Sequence, residues 1–420
     1  MRDQIVLHRA PWVLPVVQAP LANGAVAVRS GRIEAVGGFS ELQGMYSDAA
    51  VVDYPDSVLI PALINAHTHL ELSNLAHITA IFRPESFTGW IENMLAERRR
   101  SGFSGESVLA AAAQALTSQQ QDGVIAVGDI SNTGLPRKLS AAFWGELLCF
   151  KEFYGLSAAT VKGTLQALTR EGDQLCTAHA PYSTHAEVLQ ALKQRSLRLG
   201  HVFPLHVAEP PSEAEMMNSG RGEIADFFHE RGFWSDSFQP TGIDNTGSVQ
   251  YLHQLGILDD RTLCVHCIHV SEKEFAILQT TGCSICLCPG SNRYLNVGKA
   301  PVVDFLRLGI PLALGTDSLS SNPVISLWRE MFVLTEDHPG LAPADILRMA
   351  TLGGSKALGL EHELGSLEKG KRAAMLAVVL CGGKNTVQDV MEELVSHANG
   401  RPPLKLIGGS GSCVTSREAN

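Results

Sequence analysis

Short apolar runs separated by helix-length segments dominate the middle of the chain. This alternation predicts parallel strands that are each followed by a helix. The runs that we assign to strands are Val58–Ala66, Gly123–Ile130, Gly145–Lys151, Leu175–Ala178, Val202–Val207, Thr262–Val265, Ser284–Leu287 and Pro311–Gly315. The clearest helices are Ser107–Gln120, Ala186–Arg198, Glu272–Thr280 and Val302–Leu308. The pattern predicts an α/β fold, a TIM-like (β/α)8 barrel over residues 58–361.

Both ends of the chain show a different pattern, with short strands and glycine at the corners. Ala25–Val28 and Gly31–Val36 are typical of a hairpin, and the turn Gly365–Gly370 precedes the apolar strand Ala374–Leu380. Neither end alone is large enough to bury a core. We therefore predict one small β-sandwich domain built from residues 1–57 and 362–420. The Gly/Ser-rich stretch 408–420 is predicted to be a disordered tail.

Two histidines stand one residue apart where the first apolar run ends. Alternate residues of an extended backbone point the same way, so His67 and His69 can direct both imidazoles at one point. Neutral imidazole is the commonest protein ligand for zinc-like metals. A lone His-x-His is weak evidence, because two histidines in a loop after a strand give the same sequence.

Ionisable side chains recur after four further predicted strands and strengthen this signal. In chain order they are His179, His206 with Glu209, His266 and Asp317. The carboxyl ends of barrel strands meet at one rim, where the chemistry of this fold takes place. Any one of these residues could be an ordinary loop residue, but their recurrence at a single rim predicts a metal site there.

Composition argues against some classes of binding partner. The chain of 420 residues has 33 Lys and Arg against 43 Asp and Glu, and its net charge of −10 argues against nucleic-acid binding. The only dense basic run, Arg98–Arg100, is predicted to be the solvated end of a helix. The longest apolar stretch, Ala373–Cys381, is too short for a bilayer, and we recognise no signal peptide. We predict a cytoplasmic protein that acts on a small molecule and has no membrane partner.

The nine cysteines allow two interpretations. Cys264-x-x-Cys267 and Cys283-x-x-Cys286-x-Cys288 have a spacing similar to that of a zinc ribbon. The same residues lie in short β-type runs, whose alternate residues face opposite sides, and free cysteine is among the most buried residue types. We favour buried, reduced thiols, which suit a reducing compartment.

The residues at the strand ends resemble the motifs of the amidohydrolase superfamily. The matching segments are Ile60-Pro61-x-x-Ile64-Asn65-x-His67-Thr68-His69, His206-x-x-Glu209, His266 and Gly315-Thr316-Asp317. Glu209, and the lack of a lysine in the fourth predicted strand, make the chain similar to the branch that holds adenosine-type deaminases and triazine hydrolases. Within that branch, His69–Ser73 and Gly89–Ile91 look most like aminodeoxyfutalosine deaminases, and S-adenosylhomocysteine deaminase-like proteins are also similar.

The resemblance implies one divalent metal ion, Zn²⁺ with Fe²⁺ as the alternative, held by His67, His69, His206 and Asp317. It implies that Glu209 protonates a ring nitrogen of the substrate, that His266 contacts the attacking water, and that Asp317 accepts the proton of this water. The implied reaction releases ammonia from a purine nucleoside-like or other cyclic amidine substrate. Barrels of this kind often pair, so a homodimer is expected.

Three alternatives to this function stay open. Within the enzyme class, the chain could hydrolyse a chloride or a substituted amine from a triazine, or it could deaminate guanine. Outside the enzyme class, the chain could be a barrel that binds a ligand without catalysis. Loss of catalysis would show as a missing metal ligand, and every ligand that the resemblance implies is present.

Four residues are candidates for substrate contact. His179 resembles a residue that contacts ribose in relatives, although an ordinary loop histidine would look the same. Trp90 could stack on a purine or pack in a helix core. Ser291 and Arg293 lie in a segment that resembles a substrate-side loop, where Arg293 could meet an anionic group, although exposed arginines are common. The long, aromatic-rich segment Pro210–Gly242 could close over the substrate.

Overall fold

The computed structural model describes residues 4–235, 247–382, 386–398 and 400–408. The predicted disordered tail therefore lies outside the described residues from 409 onward, and so does the predicted closing segment from 236 to 242. The strands are β1 (Val6–Val13), β2 (Leu21–Arg29), β3 (Arg32–Gly38), β4 (Ala50–Asp53), β5 (Ser57–Pro61), β6 (Leu63–Thr68), β7 (Val124–Ser131), β8 (Glu146–Phe153), β9 (Cys176–Ala178), β10 (Phe203–Val207), β11 (Thr262–His266), β12 (Ser284–Leu287), β13 (Leu312–Leu314), β14 (Met375–Val379) and β15 (Leu404–Ile407).

Helices separate most of the strands in the middle of the chain. The α-helices are α1 (Phe39–Met45), α2 (Ile78–Ile81), α3 (Phe87–Ser101), α4 (Glu106–Gln121), α5 (Ala158–Leu168), α6 (Ala186–Leu199), α7 (Pro211–Ser219), α8 (Glu223–Glu230), α9 (Ser248–Gln254), α10 (Glu272–Thr281), α11 (Pro289–Leu295), α12 (Val302–Arg307), α13 (Leu327–Asp337), α14 (Pro343–Arg348), α15 (Gly354–Ala357) and α16 (Val387–Leu394). Two 3₁₀-helices (Leu70–Leu75 and Leu135–Leu139) and a π-helix (Met349–Gly353) complete the set.

The strands in the middle of the chain form two parallel sheets of four strands each. One sheet has the order β6-β7-β8-β9 and the other has the order β10-β11-β12-β13. Backbone hydrogen bonds also join the two sheets: His206 N donates to His179 O at 2.9 Å, and Thr316 N donates to His67 O at 2.9 Å. The predicted α/β class with parallel strands is confirmed.

The first predicted strand, Val58–Ala66, is two strands that belong to different sheets. β5 pairs antiparallel with β14, whereas β6 pairs parallel with β7. The backbone passes between the sheets at Ala62, whose N–H donates to Ala374 O at 3.0 Å. Both strands are buried along their whole length, so the apolar run continues through the change of sheet and conceals it.

Strands from both ends of the chain combine in one further sheet. Its order is β15-β14-β5-β1-β2-β3, and β4 pairs with β1. A separate buried apolar cluster on this sheet includes Val13, Ile33, Leu59 and Met375. A single seven-stranded sheet does not confirm the predicted two-layer sandwich, and the domain boundaries at 57/58 and 361/362 stay a prediction.

The basic run was predicted to be a solvated helix end, and this is wrong for Arg98. Arg98 lies in the last turn of α3 but is only 7% exposed. Its guanidinium donates to Glu71 Oε1 at 2.6 Å and to Asn132 Oδ1 at 2.6 Å. The partners lie 27 and 34 positions away in the sequence, so the local charge pattern could not reveal them.

The described cysteines favour the thiol interpretation over the zinc ribbon. All of them are free, and all except Cys381 are buried. Within the described ranges, no cysteine belongs to a group of three or more side chains that could hold a metal. Among the same residues, we find no helix with both the length and the apolar character needed to cross a membrane.

Candidate active site

Four side chains converge at the carboxyl ends of β6, β10 and β13. One atom from each of them lies within 4.8 Å of the others, and the four residues are His67, His69, His206 and Asp317. His69 Nε2 is 3.4 Å from His206 Nε2 and 3.4 Å from Asp317 Oδ1. Two ligands at about 2 Å from a tetrahedral metal are about 3.3 Å apart, so these separations suit such an ion. We call these four side chains the metal group.

The burial and hydrogen bonding of His67 show whether the metal group fits a metal ion. The side chain is 1% exposed, and neither ring nitrogen has a hydrogen-bond partner within the part of the chain that the structure describes. Buried polar side chains are nearly always paired. A buried imidazole without a partner therefore indicates that a ligand completes the site. Three imidazoles and a carboxylate are donors that a zinc-like divalent metal accepts.

The protonation states of the metal group also suit a metal. Burial, followed by the charge of His67, lowers the pKa of His69 to about 3. Burial likewise holds the pKa of His206 well below its usual value. Both imidazoles are therefore neutral at neutral pH, which is the form that binds metals.

Neighbouring groups orient the members of the metal group. His206 Nδ1 lies 3.0 Å from the backbone oxygen of His179, so it donates there and leaves Nε2 for a ligand. Asp317 Oδ2 accepts hydrogen bonds from Ser291 Oγ at 2.6 Å and Ser321 Oγ at 2.8 Å. The other carboxylate oxygen of Asp317 then faces the histidines.

Four positions at this rim have a left-handed backbone. The φ angles are 52° at Ala208, 74° at His266, 48° at Cys267 and 54° at Asp317. Positive φ is uncommon outside glycine, and such strained residues cluster at functional sites. Each of these residues follows or ends a strand of the second parallel sheet, so the turn of the backbone there aims the functional side chains.

Glu209 and His266 face each other beside the metal group. His266 Nε2 lies 3.5 Å from Glu209 Oε1, and both residues lie close to Asp317. His266 Nδ1 is paired with Asn292 Oδ1 at 2.8 Å, and burial lowers the pKa of this imidazole to about 4. Burial, followed by the charge of Asp317, raises the pKa of Glu209 well above its usual value. The raised pKa favours the protonated form of Glu209, which can donate a proton.

Glu213 fixes the backbone at Glu209, a role that the sequence pattern does not indicate. Its carboxylate accepts hydrogen bonds from Ala208 N and Glu209 N, both at 2.8 Å, and from Ser248 Oγ at 2.6 Å. Acidic residues are common in the first turn of a helix because they complement the helix dipole. The position of Glu213 in α7 therefore gave no signal of this role.

A cavity of about 430 Å³ opens beside the metal group. Its apolar wall includes Leu72, Phe87, Trp90, Met94, Phe227 and Phe228. Its polar wall includes Arg98, Asn132, Glu152, His179 and Ser183. A mostly apolar cavity of this size with a few polar groups suits a small-molecule ligand.

The structure brings two of the four predicted substrate contacts to the cavity. His179 and Trp90 line it, and Trp90 Nε1 donates to Ser320 O at 2.9 Å, which fixes the indole ring. Part of the predicted closing segment also contributes to the wall, through Phe227, Phe228 and Phe233.

Ser291 and Arg293 are not among the described residues that line the cavity. Ser291 is fully buried and donates to Asp317 instead, because α11 begins two residues earlier and turns its side chain toward the metal group. Arg293 pairs with Glu336 at 2.6 Å and Asp337 at 2.9 Å. The guanidinium of Arg293 is therefore paired with carboxylates of α13, whereas the sequence suggested an anionic group of the substrate.

The close approach of two strands at Gly315 leads to a prediction. A Cβ there would lie 2.7 Å from Cys286 Sγ and 2.9 Å from His67 Cβ. We expect Gly315→Ala to displace His67, to lower the free energy of unfolding by about 1–3 kcal/mol, and to reduce metal content. Thermal unfolding and elemental analysis measure both effects. Gly163→Ala in α5, where nothing lies within 4 Å, is the control. Unchanged stability and metal content in Gly315→Ala would contradict the crowding argument.

Comparisons with known proteins show which proteins this chain is similar to. Residues 58–405 match the sequence model of the Amidohydrolase family. A 5-methylthioadenosine/S-adenosylhomocysteine deaminase from Moorella thermoacetica is 28% identical over 89% of this chain and 85% of its own. An aminodeoxyfutalosine deaminase from Nitratiruptor sp. is 28% identical over 92% of this chain and 95% of its own. The crystal structure of Helicobacter pylori aminofutalosine deaminase with methylthio-coformycin is similar with a TM-score of 0.82 at 25% identity, covering 98% of this chain and 100% of that chain.

Proposed function

The chain belongs to the amidohydrolase family, and from this premise we propose that it is a metal-dependent aminohydrolase. It removes an amino group as ammonia from a purine nucleoside-like substrate, with aminodeoxyfutalosine as the first candidate. The observation that carries this proposal is the position of the Glu209–His266 pair beside the metal group and a cavity. The deaminase names of the relatives support the same reaction.

The proposal extends to the fold. The two parallel sheets form one closed (β/α)8 barrel over residues 58–361. Hydrogen bonds that join the sheets, from His206 N to His179 O and from Thr316 N to His67 O, support this closure. The seven-stranded sheet, apart from residues 58–61 of β5, is then the core of a small domain made of residues 1–57 and 362–420.

The metal group would hold one divalent ion, for which we propose Zn²⁺ with Fe²⁺ as the alternative. When bound, such an ion acts as a Lewis acid that makes water nucleophilic at neutral pH. The unpartnered ring of His67 and the neutral imidazoles of His69 and His206 support this assignment.

The side chains of the protein would move the protons. Glu209 donates its proton to the ring nitrogen next to the carbon that water attacks, and its raised pKa supports this acid role. Asp317 accepts the proton of the attacking water and passes it to the departing amine. His266 orients that water through Nε2, which has no hydrogen-bond partner among the described residues. The carbon–nitrogen bond then breaks and ammonia leaves, and the remaining proton of the water passes from the new hydroxyl to Glu209 as the carbonyl forms.

Ammonia release from a panel of compounds tests the function. Metal-replete protein is offered aminodeoxyfutalosine, methylthioadenosine, S-adenosylhomocysteine, guanine and chlorinated or amine-substituted triazines. We expect ammonia from an adenine nucleoside. Preferred release of chloride or a substituted amine would favour the triazine alternative, and turnover of none of these compounds would favour a ligand-binding barrel.

The role of His179 leads to a second prediction. Its Nδ1 lies 2.6 Å from Ser183 Oγ, which leaves Nε2 for a substrate hydroxyl in the cavity. We expect His179→Ala to reduce kcat/KM for a nucleoside. The loss corresponds to about 1–3 kcal/mol of transition-state stabilisation, because a polar contact in a buried site is lost. The matching free base makes no such contact and is the control substrate. Equal losses on the nucleoside and the free base would mean that His179 supports the metal group or the fold.

Two further statements stay predictions from the sequence. We propose that the protein acts in the cytoplasm and that it forms a homodimer. The buried free thiols support a reducing compartment. The substrate is a small molecule, and the net charge of −10 supports the exclusion of nucleic acid.

A further inference from the structure

The polar wall of the cavity contains a buried carboxyl group that the proposed chemistry does not use. Glu152 lies near the end of β8, lines the cavity and is 7% exposed. Its Oε2 accepts a hydrogen bond from Asn132 Nδ2 at 2.6 Å, whereas its Oε1 is buried and has no partner among the described residues. An unpartnered polar atom in a buried site is rare and unfavourable. We therefore expect a group of the ligand to form a hydrogen bond with Glu152 Oε1.

A chain of hydrogen bonds holds Glu152 in place. Asn132 Oδ1 accepts from Arg98 at 2.6 Å, and Asn132 N donates to Glu71 at 2.9 Å. Arg98 and Glu71 are themselves paired at 2.6 Å. Glu152 is thus presented to the cavity by partners that are fixed before a ligand binds, which reduces the entropy lost on binding.

The position of Glu152 indicates what kind of ligand group it meets. Possible ligand atoms of Glu152, His179 and His206 all lie within 4.8 Å of one another. A group that reaches Glu152 therefore lies near the metal group, where a divalent cation would repel a ligand ammonium. Burial raises the pKa of Glu152 to about 8. A hydroxyl both donates and accepts, so it suits this carboxyl group in either protonation state.

We propose that Glu152 Oε1 hydrogen-bonds a sugar hydroxyl of the substrate and makes the enzyme selective for ribonucleosides. This inference rests on the proposed function and deepens it. With His179 beside Glu152 on the same wall, two neighbouring hydroxyls of one sugar can be bound together. The reacting ring then lies toward Glu209 and the metal group.

The test compares an adenine ribonucleoside with its 2′-deoxy, 3′-deoxy and 2′,3′-dideoxy counterparts. In the wild-type protein we expect the dideoxy compound to lose about 10- to 100-fold in kcat/KM, the range for a hydrogen bond to a buried carboxyl group. In Glu152→Ala this gap narrows, because only the contact with His179 remains, and the loss on the ribonucleoside is mainly in KM. Glu152→Gln, which preserves size and the contact with Asn132, has an intermediate gap. Glu106→Ala, at an exposed carboxylate that begins α4, keeps the wild-type pattern.

Several results would overturn the inference. Equal losses on the ribonucleoside and the dideoxy compound in Glu152→Ala would show that Glu152 supports only the fold. A second equivalent of metal that is lost in Glu152→Gln would show that Glu152 is a metal ligand. If the wild-type protein deaminates all four compounds equally well, the inference fails and the proposed function stands.

A binding measurement separates the inference from the proposed function. Calorimetry with the deaminated ribonucleoside, which needs no turnover, should show weaker binding to Glu152→Ala than to the wild-type protein. If the wild-type protein neither binds this nucleoside nor releases ammonia from any of the four compounds, the proposed function and the inference both fail.

Discussion

We expect His67→Ala and Asp317→Ala each to lose the proposed metal and to reduce ammonia release by at least about 10³-fold. A metal that activates water lowers the activation barrier by several kcal/mol, and each 1.4 kcal/mol or so is about tenfold in rate. The protein should stay folded in His67→Ala, because the ring of His67 makes no hydrogen bond within the described part of the chain. Elemental analysis, turnover and circular dichroism measure the three effects.

His362→Ala is the matched control for this prediction. The side chain of His362 is 91% exposed, so its loss should leave metal content at about one equivalent per chain and turnover unchanged. Wild-type turnover in either ligand variant would refute the assignment of the metal group. Two tightly bound equivalents in the wild-type protein would refute the single-metal site.

We expect Glu209→Gln to retain its metal and to lose at least about 10²-fold in kcat. The amide keeps the size of the side chain and can still form hydrogen bonds, but it cannot supply a proton to the ring nitrogen. Glu213 holds the backbone of residue 209 through main-chain N–H groups, and the substitution leaves these contacts intact. The metal content should therefore stay near one equivalent while the chemical step slows.

Glu272→Gln controls for the loss of one carboxylate. Glu272 is exposed at the start of α10, so this variant should match the wild-type rate. An unchanged rate in Glu209→Gln would remove Glu209 from the chemistry. A loss of metal together with rate would instead mean that Glu209 acts through the metal group.

The strands that carry the site could be predicted because they are buried on both faces. Such strands produce continuous apolar runs, and the polar residues that follow them mark one rim. The same continuity concealed the change of sheet at Ala62. The sequence predicted that the two chain ends combine, but it did not show that their strands form one sheet. Alternation within a strand indicates which face is buried and does not indicate what covers that face.

The metal group could be predicted because its members follow strands. The side chains that orient the site could not be predicted in this way. Glu213 looks like an ordinary residue in the first turn of a helix, and Glu152 follows Lys151 as an ordinary charged pair in a strand. Their roles come from contacts with residues that are distant or lie in loops. Arg293 is the opposite case. The sequence motif suggested that it contacts the substrate, whereas its guanidinium pairs with two carboxylates of α13.

Hydrolysis in heavy-oxygen water tests the central claim most directly. Metal-replete protein is incubated with the best adenine nucleoside of the panel, and both ammonia and the mass of the product are measured. The account predicts one ammonia per product molecule and one heavy oxygen, taken from the solvent, in place of the amino nitrogen. It also predicts that neither product forms with His67→Ala. Ammonia-free turnover, or a product without solvent oxygen, would contradict the assignment of this site to hydrolytic deamination.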